Sequence, residues 1–195
     1  HQRRDTYWKH GSVCENYADI EIPVYAVSGW GDAYKDGVLR LLENLICPKK
    51  ALIGPWGHGF PHRAKPGPQI GFLQEMLRWW DYWLKGIDNG IMNESVLRVW
   101  MQESTQPQTY YEKQSGRWVG EETYPSKNVK THQLFLNENS ALTTRATHTG
   151  SKSILGAQHH GLEAGVWCAY GWEGDYPPDQ RGEDGLCSCF DGEVA

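Results

Sequence analysis

Two short apolar runs, IPVYAVSG at residues 22–29 and KKALIG at 49–54, bracket the segment VLRLLENLIC, and this order constrains the fold more than any other feature of the chain. Each run is too short for a helix and too continuously apolar for a strand with one wet face, the pattern of strands buried on both sides of a parallel sheet. Between them, Val38, Leu39, Leu42, Leu45 and Ile46 recur at the spacing of one helix face, with Asp36 at the N-cap position and Pro48 as the stop. Strand, loop, helix, strand, loop is a βαβ unit. Its right-handed crossover brings the loops that follow the two strands to the same carboxyl edge of the sheet, where ligands of such sheets bind.

Those two loops carry the chain's most suggestive chemistry. WGDAYKDG presents Asp32 and GPWGHG presents His58, the latter held between glycines that permit a tightly shaped turn. On neighbouring strand ends, the carboxylate can hold one imidazole nitrogen while the other faces a cleft. This is the acid and base part of a nucleophile–His–Asp triad. The order acid then histidine is that of α/β-hydrolases, in which the nucleophile comes earlier in the chain. Asp36 is the rival acid, but the start of a helix gives it a capping role.

Further on, Gln69 to Lys85 predicts a longer helix with Ile70, Leu73, Leu77, Trp80 and Leu84 on its apolar stripe and Gly86 as the stop. Beyond residue 92, VLRVWMQ, RWVGEETYP and HQLFLN alternate or are rich in aromatics between Pro, Asn and Gly clusters, the pattern of an antiparallel sandwich; LCSCF is a candidate strand.

The stretches IPVYAVSGWGDAYKDG and PKKALIGPWGHG, continued by DYWLKGIDNG, GRWVGEETYP, HQLFLN and DYPPDQRGEDG, resemble the cocaine-esterase and X-prolyl dipeptidyl-peptidase (CocE/NonD) family of serine hydrolases. The resemblance implies an α/β fold followed by an all-β one: the C-terminal portion of an α/β-hydrolase with its parallel sheet over residues 1–91, then an incomplete jelly-roll β-sandwich over 92–195. It implies Asp32 as triad acid, His58 as triad base, and Trp30 and Trp56 as flanking substrate-pocket residues. The implied substrate is a small-molecule ester or a short peptide, cleaved at an ester or amide bond of acyl or X-Pro type, with no metal and no organic cofactor. The chain contains no G-x-S-x-G elbow, so the nucleophile and its oxyanion-hole donors are expected upstream, outside this chain, and the chain alone is expected to be inactive.

Composition removes several other classes. A formal net charge of -5 with scattered Lys and Arg argues against a nucleic-acid surface, and no apolar run approaches the roughly 18 residues of a membrane span. The five cysteines lack CxxC spacing, which points to free thiols in a reducing compartment and a cytoplasmic location. His62, four residues after His58, is separated from it by Pro61, and the pair His159–His160 has no ligand cluster at zinc spacing, so no metal site is expected at either. Unpaired strand edges favour association, so a homo-oligomer is among the expected partners. The alternative function is a carbohydrate- or protein-binding β-sandwich carried on a non-catalytic α/β scaffold.

Overall fold

The computed structural model describes residues 1–147 and 150–193. A short helix α1 (Thr6–His10) and two 3-10 turns lead into β1 (Val24–Gly29), α2 (Lys35–Asn44) and β2 (Lys49–Gly54), and then into α3 (Phe72–Lys85). After a further 3-10 turn come β3 (Leu97–Gln102), β4 (Gly116–Glu121), the two-residue strands β5 (Phe135–Leu136) and β6 (Leu142–Thr143), and α4 (Arg181–Asp184).

The sheet has the order β1-β2-β3-β4. β1 and β2 pair in parallel from Val24 opposite Lys49 to Gly29 opposite Gly54, so both strands stop at the same edge. β3 joins β2 in parallel and β4 closes the sheet antiparallel to β3. The boundary expected near residue 92 thus falls inside one hydrogen-bonded sheet. Past β4, the described residues hold only the β5–β6 pair as a second sheet and no packed sandwich, and LCSCF at 186–190 forms no strand. Alternation within VLRVWMQ and RWVGEETYP reads equally well as the flank of an α/β sheet, because both contexts ask for the same period of two.

Period-two alternation assigns the two faces. Ala51 and Ile53 of β2, with Leu97 of β3, pack against Val38 and Leu42 of α2. Leu52 points the other way, into a cluster with Trp56 and Ala64 that Tyr25, Val27 and Ile70 cover. Asp36 lies inside the first turn of α2 rather than at its cap, which Tyr34 occupies; a carboxylate there still favours the helix start. Ile46 lies past the end of α2 and is exposed.

α3 corrects the predicted stripe. Its buried residues are Phe72, Glu75 and Trp79, while Leu73, Leu77, Trp80 and Leu84 face solvent. Ion pairing sets this rotation. Glu75 accepts from the Tyr25 hydroxyl at 2.7 Å and pairs with Arg98, and its second oxygen accepts from Arg78 at 3.0 Å. Arg78 in turn donates to Glu94 at 2.5 Å. The Trp79 ring packs 5.2 Å from that of Tyr25, adding aromatic contact on the same side. A Leu-based stripe turned inward would expose Glu75 to water and leave Arg98 only the more distant Glu94 carboxylate, at 3.7 Å. Beneath this network Lys50 is almost fully buried and donates to the carbonyls of Ile91 (2.7 Å) and Glu94 (3.0 Å); desolvation holds its pKa below the usual lysine value.

Candidate active site

The acid loop is held by backbone bonds at the carboxyl edge of the sheet. Trp30 N–H donates to Gly54 O at 2.9 Å and Gly31 N–H to Trp56 O at 2.9 Å, which ties the end of β1 to the start of the histidine loop. Gly29 permits this closeness: a Cβ there would lie 2.0 Å from Trp56 O. The turn brings Asp32 to the amino end of α2, where its Oδ1 accepts from Tyr34 N–H at 2.8 Å. Oδ2 is left for the histidine. It lies 3.0 Å from His58 Nδ1, and Asp32 is only 8% exposed.

The histidine loop is fixed from the other side by the segment around residue 170. His58 N–H donates to Ala169 O at 2.6 Å, and Gly57 N–H donates to Lys65 O at 2.7 Å. A Cβ on Gly57 would meet Ala169 O at 2.5 Å, so glycine is required for the two strands of chain to touch. The 170–175 turn is itself closed by the Asp175 carboxylate, which accepts from the N–H groups of Tyr170 and Trp172, each at 2.8 Å. Tyr170 and Tyr34 flank the imidazole with ring centroids 5.3 and 5.7 Å away. Below the acid loop, next to Gly31, the Tyr176 phenol is pushed up to about 12, by burial first and by the Asp175 charge second, so it stays neutral at physiological pH.

An ionised carboxylate only accepts hydrogen bonds, so Nδ1 carries the ring proton in the neutral imidazole and Nε2 keeps its lone pair. No described residue hydrogen-bonds Nε2. The imidazole edges a cavity of about 740 Å³ whose wall includes Asp32, Phe60, Phe72, Tyr170 and Trp172. Such a volume, apolar with a few converging polar groups, suits a small organic ligand. The arrangement can therefore take up a proton at Nε2 and hold the resulting imidazolium against a carboxylate.

Of the four residues predicted for the site, the structure brings Asp32 and His58 together and turns both tryptophans away from the cavity. Trp56 is fully buried in the core, its Nε1 donating to Pro68 O at 2.9 Å, and Trp30 packs toward α2 with its Nε1 on Trp100 O at 2.7 Å. Each indole N–H needed an acceptor once buried, and backbone carbonyls of the core supply it. The pocket's aromatic wall comes instead from Phe60, Phe72, Tyr170 and Trp172, the last two from a glycine-rich passage far along the chain. His62 stacks beside Phe60 and Phe72. His160 lies 3.4 Å from Cys187 and 3.8 Å from Glu183. Cys168, which spacing could not single out, brings its sulfur beside the dyad: Asp32, His58 and Cys168 each have one donor atom within 4.8 Å of the other two.

The comparisons with known proteins agree with this edge of the fold. Residues 1–60 match the family model of the X-Pro dipeptidyl-peptidases (S15 family). A protein named as a serine esterase in Mycobacterium bovis is 29% identical over 109 residues, which is 52% of this chain and 16% of that protein. One named as an Xaa-Pro dipeptidyl-peptidase in Bacillus anthracis is 28% identical over 106 residues, 51% of this chain and 16% of that protein. The match thus spans about a sixth of the length of these relatives. A crystal structure of a CocE/NonD family hydrolase from Staphylococcus aureus superposes with a TM-score of 0.52 over 74% of this chain and 24% of that one, at 18% identity, which shows a shared fold. No described helix is long and apolar enough to cross a membrane. The segment that delivers Asp32 and His58 is thus the part of the chain that is similar to the X-Pro dipeptidyl-peptidase (S15) family.

Proposed function

We propose that this chain supplies the acid and the base of a serine acyl hydrolase, with Asp32 orienting His58 toward a serine that lies outside the chain. The observation that carries the reading is the 3.0 Å contact between Asp32 Oδ2 and His58 Nδ1 beside an aromatic-walled cavity. As the serine hydroxyl attacks a carbonyl, His58 Nε2 takes its proton and the Asp32 carboxylate stabilises the imidazolium. Nε2 then returns the proton to the departing alcohol or amine, and water repeats the cycle on the acyl-enzyme. The substrate is a small ester or a short X-Pro-type peptide whose acyl side enters the cavity. By the same family resemblance, residues 92–195 are read as the start of a jelly-roll domain. The five free cysteines fit a reducing, cytoplasmic location.

The test is made in a hydrolase that carries both this segment and its serine. Asp32→Asn keeps the shape but offers the imidazole the wrong hydrogen-bond partner, and kcat is expected to fall by about 10⁴-fold, the size of loss seen when a triad carboxylate is converted to its amide. Turnover within about threefold of the parent would remove Asp32 from the mechanism.

A further inference from the structure

Cys168 is an unused nucleophilic and metal-ligating group at the edge of the dyad. Its position is fixed by its neighbours: Trp167 packs edge-on against Tyr34 at 5.4 Å, and Ala169 O receives the His58 N–H at 2.6 Å. No described residue hydrogen-bonds the Cys168 thiol, which is free and half-buried. Its place relative to the imidazole decides what it can do. The Asp32 oxygen lies 3.0 Å from Nδ1, and the sulfur is within 4.8 Å of both groups. The carboxylate marks the Nδ1 side of the ring, and a sulfur within 4.8 Å of both groups is close enough to share a ligand with them.

We propose that Asp32 Oδ2, His58 Nδ1 and Cys168 Sγ form a three-ligand site for a thiophilic divalent cation, Zn²⁺ above all, that competes with the Asp32–His58 hydrogen bond. Carboxylate, imidazole and thiolate are the ligand types that zinc takes, three protein donors leave the fourth tetrahedral position open, and hard cations such as Mg²⁺ prefer all-oxygen sites. With bonds of about 2.0–2.1 Å to N and O and about 2.3 Å to S, tetrahedral ligands stand about 3.4 Å apart for N and O and about 3.6 Å for S and either. The observed 3.0 Å N–O contact has to open slightly, and the sulfur, within 4.8 Å, closes by about 1.2 Å at most, within reach of a side-chain rotation.

Binding releases the Cys168 thiol proton to solvent. The imidazole stays neutral and exchanges its proton from Nδ1 to Nε2, leaving the Nδ1 lone pair on the metal. This tautomer cannot act as a base at Nε2, so the cation switches the dyad off while the ring stays in place. The switching consequence rests on the hydrolase reading above. The metal site itself does not.

The experiment is a Co²⁺ titration of the full chain, followed by the thiolate-to-cobalt charge-transfer absorbance, with Zn²⁺ displacing the band. A single-equivalent band is expected, with Cys168→Ala abolishing it, His58→Ala weakening affinity at least about tenfold, and Cys187→Ala leaving it unchanged. No band in the parent chain, a band that survives Cys168→Ala, or one that follows Cys187 and His160 instead would overturn the site. A second measurement needs no variant: Zn²⁺ should slow iodoacetamide alkylation of Cys168 at least about tenfold, read by peptide mass spectrometry, while the exposed Cys14 reacts as before. Equal Cys168 rates with and without Zn²⁺ would also overturn it. Both readouts are independent of turnover, so failure of the site and failure of the hydrolase reading are seen separately.

Discussion

Replacing Glu75 by alanine should be among the most damaging single changes in the chain, and its cost can be worked from its partners. The carboxylate is buried between α3 and the sheet, accepting from Tyr25 at 2.7 Å and Arg78 at 3.0 Å and pairing with Arg98. Removing one member of a buried ion pair costs about 3–5 kcal/mol, because the remaining charge is left without compensation. The Arg78 and Arg98 side chains are 36% and 32% exposed, so water recovers part of that loss and the ionic share falls to about 2 kcal/mol. The Tyr25 hydroxyl, whose pKa burial already drives well above the ordinary tyrosine value, loses a charged acceptor, for about 1–2 kcal/mol more. The expected loss is about 3–4 kcal/mol. Glu75→Gln keeps an acceptor for Tyr25 and should cost about half as much. Equilibrium urea unfolding followed by tryptophan fluorescence measures both, with the slope m unchanged if only stability moves. A loss below about 1 kcal/mol for Glu75→Ala would refute the claim that this carboxylate sets the rotation of α3.

Gly57→Ala should displace the 166–176 segment from the histidine loop, since the added methyl meets Ala169 O; faster amide exchange at His58, whose N–H donates to that oxygen, would report it, and unchanged protection would contradict it. Glu94 gives a pH dependence. Burial alone would raise its pKa, but the Arg78 hydrogen bond and the charges of Arg78, Arg98 and Lys50 outweigh it, and the net shift is downward. Its stabilising share is therefore fully present above the ordinary carboxylate range and is lost as pH falls through the lowered folded-state value. Glu94→Gln should flatten the decline of the urea midpoint as pH falls below the ordinary carboxylate range, and an unchanged decline would assign it to other carboxylates. Trp79→Ala, which empties a nearly fully buried site under Tyr25, should cost about 3–5 kcal/mol in the same unfolding assay; a loss under about 1 kcal/mol would mean that α3 is held by its ion pairs alone.

The parts of the molecule legible in its sequence are those governed by local periodicity. The β1–α2–β2 unit follows from two continuous apolar runs around one amphipathic segment, and the edge shared by Asp32 and His58 follows from the handedness of the crossover. α3 was legible as a helix but not in its rotation, because it is apolar on two sides and the choice was made by Glu75 meeting Tyr25 and Arg98, residues from distant strands. The tryptophans beside the acid and the histidine do not line the cavity, for a related reason. Adjacency in sequence places a backbone, while packing in the core and, at Trp30 and Trp56, a backbone acceptor for the indole N–H set where the ring goes. Tyr170, Trp172 and Cys168 reach the site from a glycine-rich passage with no periodicity, held there by its closure around Asp175 and by the bond from His58 N–H to Ala169 O.

The most direct test of the central claim is the tautomer of His58, read from long-range ¹H–¹⁵N correlations of its ring. A dyad in which the Asp32 carboxylate orients the base predicts a neutral imidazole protonated at Nδ1, with that state lost in Asp32→Ala. A ring protonated at Nε2 in the parent chain, or one indifferent to Asp32→Ala, would contradict it.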